Sequence, residues 1–494
     1  MVKIKRFLPL VLCAVLAGCG FAGETVSLDV DSASSPDGWQ RSSIFETSLN
    51  GGERYRIQLN WKTESAVPES TLQLRLCPDR KAAGHWDRVF GLDLLGGPQS
   101  VETTVLIPEG MTYSAKIATE GAVKARFKKI KLEKLPRLSR DDLYGDKQRN
   151  AEASTVFEPI GMCHHFDRFE APSSRPDGWG AFSDEEFGQA LDALEKTPTQ
   201  WVRITLSWNE AEPEKGKYGE AYLNRIDRMM DWFDKARIKY YVQIAGTARW
   251  ASSNKTSQFW SHPPEHLQDW EDFVRYLGTR YHQRTHFWEV LNEPDWHFWH
   301  GTVAQYVDSL KSAAQVLKQI NPEIKILNGG LSSDGVIAGP GIEQQFLQKM
   351  FDLGAADFID IYSQHMYTPD VEEAVYRVNR FYSVMKKNGA GEKPIWITEI
   401  GMSTFARNGK PVYTDADQKK YLEDLYTILV RHPKVEKIFW YNFRCKGTDP
   451  NDKESNFGIF RRDFSPRPAG ASYLQLKKPV VRTINPAFLS VDGL

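Results

Sequence analysis

FWEVLNEP, residues 287–294, is the stretch that decides the fold of this chain, because its apolar run ends in the carboxylate of Glu293. A second apolar run, residues 395–398, ends in Glu399 in the same way. In a barrel of parallel strands, the carboxyl ends of the strands form the rim where chemistry takes place. Paired carboxylates at such a rim indicate glycoside hydrolysis. The alternative is that Glu293 caps a loop and that Glu399 neutralises an arginine.

On both sides of this stretch, from residue 153 to residue 478, apolar runs alternate with amphipathic helical windows. Apolar residues have helical spacing in residues 270–281, 303–317 and 375–385. The runs that predict buried strands are residues 156–162, 201–207, 240–245, 287–291, 324–328, 358–365, 395–400 and 438–442. Eight strands alternating with helices predict an α/β fold, a (β/α)8 barrel that carries the chemistry.

Residues 24–135 have a different pattern, in which apolar and polar residues alternate in short runs, as in residues 55–61. Period-two alternation with intervening turns predicts an accessory β-sandwich of the jelly-roll kind. The sequence does not decide whether this domain binds sugar or acts as a spacer. The polar residues 136–152 predict a linker, and residues 479–494 form a C-terminal tail.

The composition excludes several function classes. Lys and Arg number 63 against 64 Asp and Glu, a formal charge of −1, and no basic cluster indicates nucleic-acid binding. There is no phosphate-binding glycine loop and no nucleophile elbow. The adjacent His164 and His165 would point to opposite faces of a strand, so the sequence predicts neither a metal site nor a cofactor.

The N-terminus predicts export. Residues 1–19 combine Lys3, Lys5 and Arg6 with an apolar run that is too short to span a membrane as a mature helix. Residues 16–19, LAGC, resemble a bacterial lipobox, which implies diacylation of Cys19 and anchoring to the outer membrane or in the periplasm. The alternative is ordinary cleavage, for instance after Ala22, which would give a secreted protein.

The cysteines outside the signal are Cys77, Cys163 and Cys445. Their odd number excludes a dense disulfide framework, so the core must supply the stability. Cys163 and Cys445 fall at the ends of the first and eighth predicted strands, which are neighbours in a closed barrel. A bridge between them is therefore left open, subject to matching Cβ directions.

WEVLNEP (288–294) and ITEIG (397–401) resemble the retaining glycoside hydrolases of clan A. NEPDWHFW, ILNGGLSS and TEIGMST are most similar to family 39 and its bacterial endoglycosidase relatives, over roughly residues 155–475. The resemblance implies that Glu293 is the general acid/base, that Glu399 is the nucleophile and that Asn292 binds the sugar 2-hydroxyl. It also implies a β-linked poly- or oligosaccharide substrate, no cofactor, and His365 and Tyr367 as site-lining residues. Trp440 matches the aromatic residue that lies under the sugar, with the alternative that it faces the helices instead.

Strand parity adds a physical reason for these roles. Arg203 shares a face of its strand with Thr205, and His365 shares one with Tyr367, so each pair can point into the barrel mouth. A cation or phenol beside Glu399 keeps it ionised, and its negative charge then favours a protonated Glu293. For Arg203 a structural ion pair, and for His365 a core histidine, are the alternatives. Glu289 lies deeper on its strand and is expected to pair with an arginine.

Aromatic side chains follow the third and fourth predicted strands. They are Trp250, Phe259, Trp260, Trp296, Phe298 and Trp299. Flat rings suit the apolar faces of pyranoses, so this arrangement predicts substrate binding, at Trp296 above all, and internal cleavage of a chain. Packing between loops is the alternative. The other functions left open are release of single sugars, a weakly active carbohydrate-binding barrel, and a metal-dependent hydrolase.

Overall fold

The computed structural model describes residues 25–32, 41–50, 53–66, 71–78, 90–93, 100–106, 112–120, 123–135, 155–164, 184–333, 342–407, 409–476 and 480–482. The predicted signal peptide with Cys19, the linker and most of the C-terminal tail lie outside these residues. Within the described part of the chain, no helix is both long enough and apolar enough to cross a membrane.

The N-terminal part consists of antiparallel strands. They are Thr25–Ser32, Arg41–Asn50, Arg54–Ala66, Thr71–Pro78, Phe90–Asp93, Ser100–Leu106, Thr112–Glu120 and Val123–Leu135. Numbered along the chain, they pair as 1-8-3-6 in one four-stranded sheet and 2-7-4-5 in another. In the eighth strand alternate residues are buried up to Phe127, which stacks on Trp61. This pairing order is that of a jelly roll. Packing of the two sheets as a sandwich stays a prediction.

The eight predicted barrel strands are present and parallel. They are Ile160–Cys163, Trp201–Ser207, Lys239–Ala245, Phe287–Val290, Lys325–Asn328, Tyr362–Met366, Ile395–Ile400 and Val435–Tyr441. We refer to them as barrel strands one to eight. Strand one pairs with strand two on one side and with strand eight on the other, so the sheet curves back on itself. The predicted (β/α)8 barrel is confirmed.

The fifth barrel strand is interrupted at Gly329 and Gly330. Residues 325–328 pair with strand four, whereas residues 331–333 pair with strand six. A single parallel bridge between Leu327 and Ile361 links the two sides. The backbone hydrogen bonding between neighbouring strands is therefore broken at the rim of the barrel, at two glycines that have no side chain.

Two other strands begin four residues later than predicted. The predicted strand 156–162 is divided, because residues 155–157 pair with Val480–Arg482 outside the barrel and only residues 160–163 enter it. Strand six begins at Tyr362, since residues 356–358 form a 3-10 turn instead.

The helices lie between the strands in sequence. They are Asp184–Glu195, Trp208–Ala211, Glu220–Ala236, Leu267–Tyr281, Val303–Ile320, Ile342–Asp352, Val371–Lys387, Asp415–Thr427 and Pro468–Leu474. The three windows with predicted helical spacing are all helical. Thr302 begins one helix with a capping box, in which its side chain and that of Gln305 bond each other's backbone N–H.

Two separate apolar clusters follow from strand alternation. One lies between the strands and the helices. The other fills the barrel interior and includes Trp201, Tyr241, Trp396 and Phe439. The side chains of this second cluster therefore point towards the barrel axis, where the polar residues of the site are also found. Cys163 and Cys445 are both buried and free, so the bridge left open by the sequence is not formed.

Candidate active site

Glu293 follows barrel strand four and is almost fully buried, with 4% of its surface exposed. The backbone turns sharply here, because Leu291 and Glu293 have φ values of 66° and 41°. Such left-handed conformations are strained for residues other than glycine and are concentrated at active sites. Nδ1 of His365, from strand six, lies 2.7 Å from Oε1 of Glu293. The general acid/base predicted from the sequence is thus held at the rim by an imidazole.

Glu399 lies at the end of barrel strand seven, where both of its oxygens accept hydrogen bonds. The hydroxyl of Tyr367 donates to Oε2 at 2.5 Å, and Nη1 of Arg203 donates to Oε1. Burial alone would raise the pKa of Glu399, but the surrounding positive potential and the Tyr367 bond outweigh it, so the pKa is lowered. Glu399 is therefore ionised at neutral pH, as a nucleophile must be.

Arg203, on barrel strand two, donates from each of its three nitrogens to a different side chain. Nε donates to Oε2 of Glu289 at 2.7 Å, Nη2 donates to Oδ1 of Asn292 at 2.8 Å, and Nη1 donates to Glu399. One planar cation thereby connects strands two, four and seven. The two interpretations of Arg203 from the sequence, an ion pair and a contact with the catalytic group, are both realised in this geometry.

Glu289 is fully buried and accepts four hydrogen bonds, one of them from Arg203. Its Oε1 accepts from the Gly330 amide at 3.0 Å, from Ser363 Oγ at 2.7 Å and from Thr398 Oγ1 at 3.3 Å. Glu289 thus pairs with an arginine, as the sequence led us to expect. It also links the interrupted fifth strand to strands four, six and seven below the reacting carboxylates.

His365 has no exposed surface, and its ring connects the two candidate catalytic carboxylates. Besides its contact with Glu293, Nδ1 lies 3.6 Å from Oε2 of Glu399. Burial lowers the pKa of His365 to about 3, so the imidazole is neutral at physiological pH. The positive charge next to Glu399 is therefore that of Arg203. His365 is not merely a core histidine.

The comparisons with known proteins agree with this geometry. Residues 265–473 match the family described as "Glycosyl hydrolase catalytic core". The part of the barrel that contains strands four to eight therefore resembles a glycoside hydrolase core. A curated β-xylosidase from Caldicellulosiruptor saccharolyticus is 26% identical over 208 residues, covering 37% of this chain and 41% of that protein. The match therefore spans less than half of the curated relative's length.

A solved structure has the same fold, and a second is similar in part. A family 39 glycoside hydrolase from Bacteroides cellulosilyticus WH2 superposes with a TM-score of 0.51 at 20% identity, covering 88% of this chain and 79% of that one. A monomeric β-xylosidase from Caulobacter crescentus CB15 gives 0.47 at 17% identity, covering 65% and 68%. The first of these superpositions supports the barrel fold of this chain.

Trp440 is placed differently from the prediction. It is fully buried in the cluster between strands and helices, and its ring centroid lies 6.1 Å from that of Tyr421 on an outer helix. The side chains of its neighbours Phe439 and Tyr441 point into the barrel interior instead. The prediction that Trp440 lies under the sugar is therefore wrong, because the strand presents the opposite face at that position.

Five of the six aromatic residues predicted to surround the barrel mouth fall into two groups, whereas Phe259 lies under the guanidinium of Arg249. Trp250 packs against Trp208, and Trp299 against Tyr306, so both are structural. The other group is a connected, partly exposed set after strands three and four. Ring centroids are 5.7 Å apart for Trp260 and Phe298, 5.8 Å for Trp296 and Phe298, and 3.8 Å for Trp296 and His297. We call Trp260, Trp296, His297 and Phe298 the aromatic patch.

Lys446 was missed by the sequence analysis. It follows barrel strand eight, is 4% exposed, and its Nζ contacts the hydroxyl of Tyr441 and lies 3.4 Å from Oε2 of Glu454. Its charge contributes to the lowered pKa of Glu399. Tyr441 in turn packs edge-on against Tyr367. Its position shortly after a barrel strand, at the catalytic rim, is the feature of the sequence that could have indicated its role.

Glu293, His365 and Glu399 also form a group of metal-ligand types that the sequence analysis did not predict. One ligand atom from each lies within 4.8 Å of the others. Carboxylates and imidazoles are ligands of divalent cations. The guanidinium of Arg203, however, already places a positive charge against Glu399. The group therefore suits acid–base chemistry in which Arg203 supplies the positive charge.

His164, for which the sequence predicts no metal-binding role, is buried directly after barrel strand one. Its Nδ1 contacts Oδ1 of Asn442, and its ring packs edge-on against Phe443 with 6.0 Å between centroids. His165 lies outside the described residues. The structure thus gives His164 a packing and hydrogen-bonding role next to strand eight.

Proposed function

We propose that this chain is a retaining glycosidase that hydrolyses β-glycosidic bonds in a poly- or oligosaccharide by double displacement. The observation that carries the proposal is the spacing of Glu293 and Glu399, which offer oxygens within 4.8 Å of each other. Retaining enzymes hold their carboxyl groups about 5 to 5.5 Å apart, whereas inverting enzymes need about 6.5 to 9.5 Å for an intervening water. The short separation favours a covalent intermediate.

In this mechanism the ionised Glu399 attacks the anomeric carbon while Glu293 protonates the leaving oxygen. Glu293 then removes a proton from the water that hydrolyses the glycosyl-enzyme. Asn292 is oriented for the sugar because its Oδ1 accepts from Arg203, which leaves the Nδ2 group as the donor to a substrate hydroxyl. Tyr367 steadies the nucleophile through its bond to Oε2.

The stereochemistry of the product tests this proposal. We expect proton NMR to show the β-anomer of the released sugar first, followed by slow mutarotation, because two displacements restore the configuration. Aryl β-xylosides and xylo-oligosaccharides are the first substrates to examine, since the curated relative is named a β-xylosidase. Initial formation of the α-anomer would contradict the nucleophile assignment, and no turnover on a broad glycan panel would favour the weakly active binding protein.

We further propose that cleavage is internal. The aromatic patch contains Trp296, whose backbone N–H donates to the carbonyl oxygen of Glu293 at 3.0 Å, so the patch begins next to the candidate acid. Stacking rings there would bind a sugar beyond the scissile bond. We expect Trp296→Ala to reduce activity on a long polysaccharide more than activity on an aryl glycoside, and we expect wild-type digests to contain oligosaccharides at early times.

Trp232→Ala is the matched control for that experiment, because Trp232 is a partly exposed tryptophan on the outer helix Glu220–Ala236. It should change neither activity. If single sugars were the only early product of wild-type digestion, the enzyme would be exo-acting. If Trp296→Ala and Trp232→Ala had the same effect on the polysaccharide, the patch would have no binding role.

We also propose that the mature protein is exported and diacylated at Cys19, that residues 24–135 form an accessory domain, and that residues 153–478 form the catalytic barrel. The lipobox-like LAGC after a short apolar run supports the lipid anchor. Mass spectrometry of protein isolated from the native host should identify an N-terminal diacylated cysteine. An unmodified N-terminus that begins after Ala22 would contradict the anchor and favour secretion.

A further inference from the structure

The interruption of the fifth barrel strand lies next to His365, the residue that contacts the candidate acid/base. The fifth strand is interrupted at Gly330, and a Cβ atom built there would lie 2.1 Å from Nε2 of His365 and 2.8 Å from Oγ1 of Thr398. The imidazole thus occupies the space that any other residue at position 330 would fill. The amide of Gly330 is fixed by its bond to Glu289, so the backbone has little freedom to retreat.

The two nitrogens of His365 have different surroundings. Nδ1 lies 2.7 Å from Oε1 of Glu293. Nε2 is buried against Gly330 and has no hydrogen-bond partner among the described residues. A neutral imidazole carries one proton, on one nitrogen or the other. A proton on Nε2 would create a buried donor without an acceptor, which is unfavourable.

We propose that Gly330 and His365 are positioning residues that fix the acidic proton of Glu293 on Oε2. Gly330 excludes any acceptor from the far side of the ring, so the proton of His365 resides on Nδ1 and is donated to Oε1 of Glu293. Oε1 is then an acceptor in both protonation states of the carboxyl group. The transferable proton is confined to Oε2, which delivers it to the leaving oxygen in the first step and receives a water proton in the second.

The opposite tautomer would disable the acid. If Nε2 carried the proton, Nδ1 would accept a hydrogen bond from the Glu293 hydroxyl, and the proton needed by the leaving group would point into the imidazole. The arrangement therefore decides whether Glu293 can act as an acid at all. This inference rests on the proposed roles of Glu293 and Glu399, but the tautomer itself is a property of the protein without substrate.

Nitrogen-15 NMR of the histidine-labelled enzyme tests the tautomer independently of turnover. The signals of His365 are assigned as those that vanish in His365→Asn. We expect Nδ1 to have the shift of a protonated nitrogen and Nε2 that of an unprotonated one at neutral pH. A protonated Nε2 would overturn the proposal even if the enzyme were a retaining glycosidase. The expected tautomer in a protein without glycosidase activity would leave the proton placement standing and refute the function.

Kinetics of three variants test the consequence. Gly330→Ala and His365→Leu should lower kcat/KM about 100-fold or more for substrates with poor leaving groups, which need protonation, and far less for dinitrophenyl glycosides. His365→Asn should restore part of the loss, because its amide can donate to Oε1 in place of Nδ1. Equal losses on both substrate types, with no recovery in His365→Asn, would show a merely structural role and overturn the proposal.

Gly188→Ala is the matched glycine control, since a Cβ there meets nothing within 4 Å. If Gly330→Ala does not fold, the comparison of His365→Leu with His365→Asn decides the question alone. Each variant is measured as the full chain, and its thermal unfolding is recorded beside that of Gly188→Ala.

Discussion

Glu399→Ala is expected to reduce turnover roughly 10,000-fold or more, because no covalent glycosyl-enzyme can form without the nucleophile. The fold should persist, since Arg203 keeps its bond to Glu289 and so remains a paired cation. Added azide should restore activity by taking the place of the missing carboxylate. A single displacement by azide inverts the configuration, so proton NMR should identify an α-glycosyl azide from a β-glycoside.

Glu423→Ala is the control for this variant, because Glu423 is a half-exposed glutamate on an outer helix. It should leave turnover unchanged. If Glu399→Ala retained a substantial fraction of wild-type turnover without azide, or if azide gave the β-glycosyl product, Glu399 would not be the nucleophile.

The lowered pKa of Glu399 has a consequence for pH dependence. Because the folded-state pKa lies below the ordinary carboxylate value, the nucleophile stays ionised as the pH falls through that ordinary range. The same interaction stabilises the fold above the unfolded-state pKa, and this stabilisation is lost only as the pH falls through the lower, folded-state value. The apparent pKa on the acid side of the kcat/KM pH profile should therefore lie below that of an exposed glutamate. It can be measured by lowering the pH from mildly acidic values.

The barrel could be predicted from the sequence because its strands are short apolar runs that end in recognisable polar residues. Strands two and seven were predicted with their observed bounds, residues 201–207 and 395–400. Arg203, His365 and Tyr367 could be placed by parity, since polar residues within an apolar strand reveal which face is turned to the axis. Hydrogen bonding then leaves these side chains few other positions in the interior.

Trp440 could not be placed because strand eight offers no such marker. Residues 438–441, Ile-Phe-Trp-Tyr, are apolar or aromatic on both faces, so alternation alone does not show which face is inside. The break at Gly329 and Gly330 was missed for a related reason. The predicted strand ended correctly near Asn328, but only the structure shows that residues 331–333 resume pairing with a different neighbour.

The aromatic residues show a further limit. Trp250 and Trp296 both follow a barrel strand and are equally apolar, yet Trp250 donates to the backbone oxygen of Glu212 and packs on Trp208, while Trp296 joins the aromatic patch. Whether a loop tryptophan packs inwards or lines the mouth depends on contacts between distant loops, which composition and periodicity do not contain.

Glu293→Ala is expected to divide substrates by their leaving groups. Loss of a general acid lowers the rate about 100-fold to 10,000-fold for substrates whose leaving oxygen must be protonated. The rate falls much less for substrates whose leaving group departs as a stable anion. We therefore expect xylo-oligosaccharides and alkyl glycosides to become very poor substrates, whereas dinitrophenyl glycosides should still form the glycosyl-enzyme. That intermediate should accumulate, because Glu293 is also the base that activates water.

Azide distinguishes this role from that of Glu399. An anion needs no general base, so azide should react with the accumulated intermediate of Glu293→Ala and raise its turnover. Because the covalent intermediate already has the inverted configuration, attack by azide restores the original one, and the product should be the β-glycosyl azide. The same anion thus gives opposite anomers in the two variants. If both gave the same anomer, the division of labour between the carboxylates at the ends of strands four and seven would be wrong.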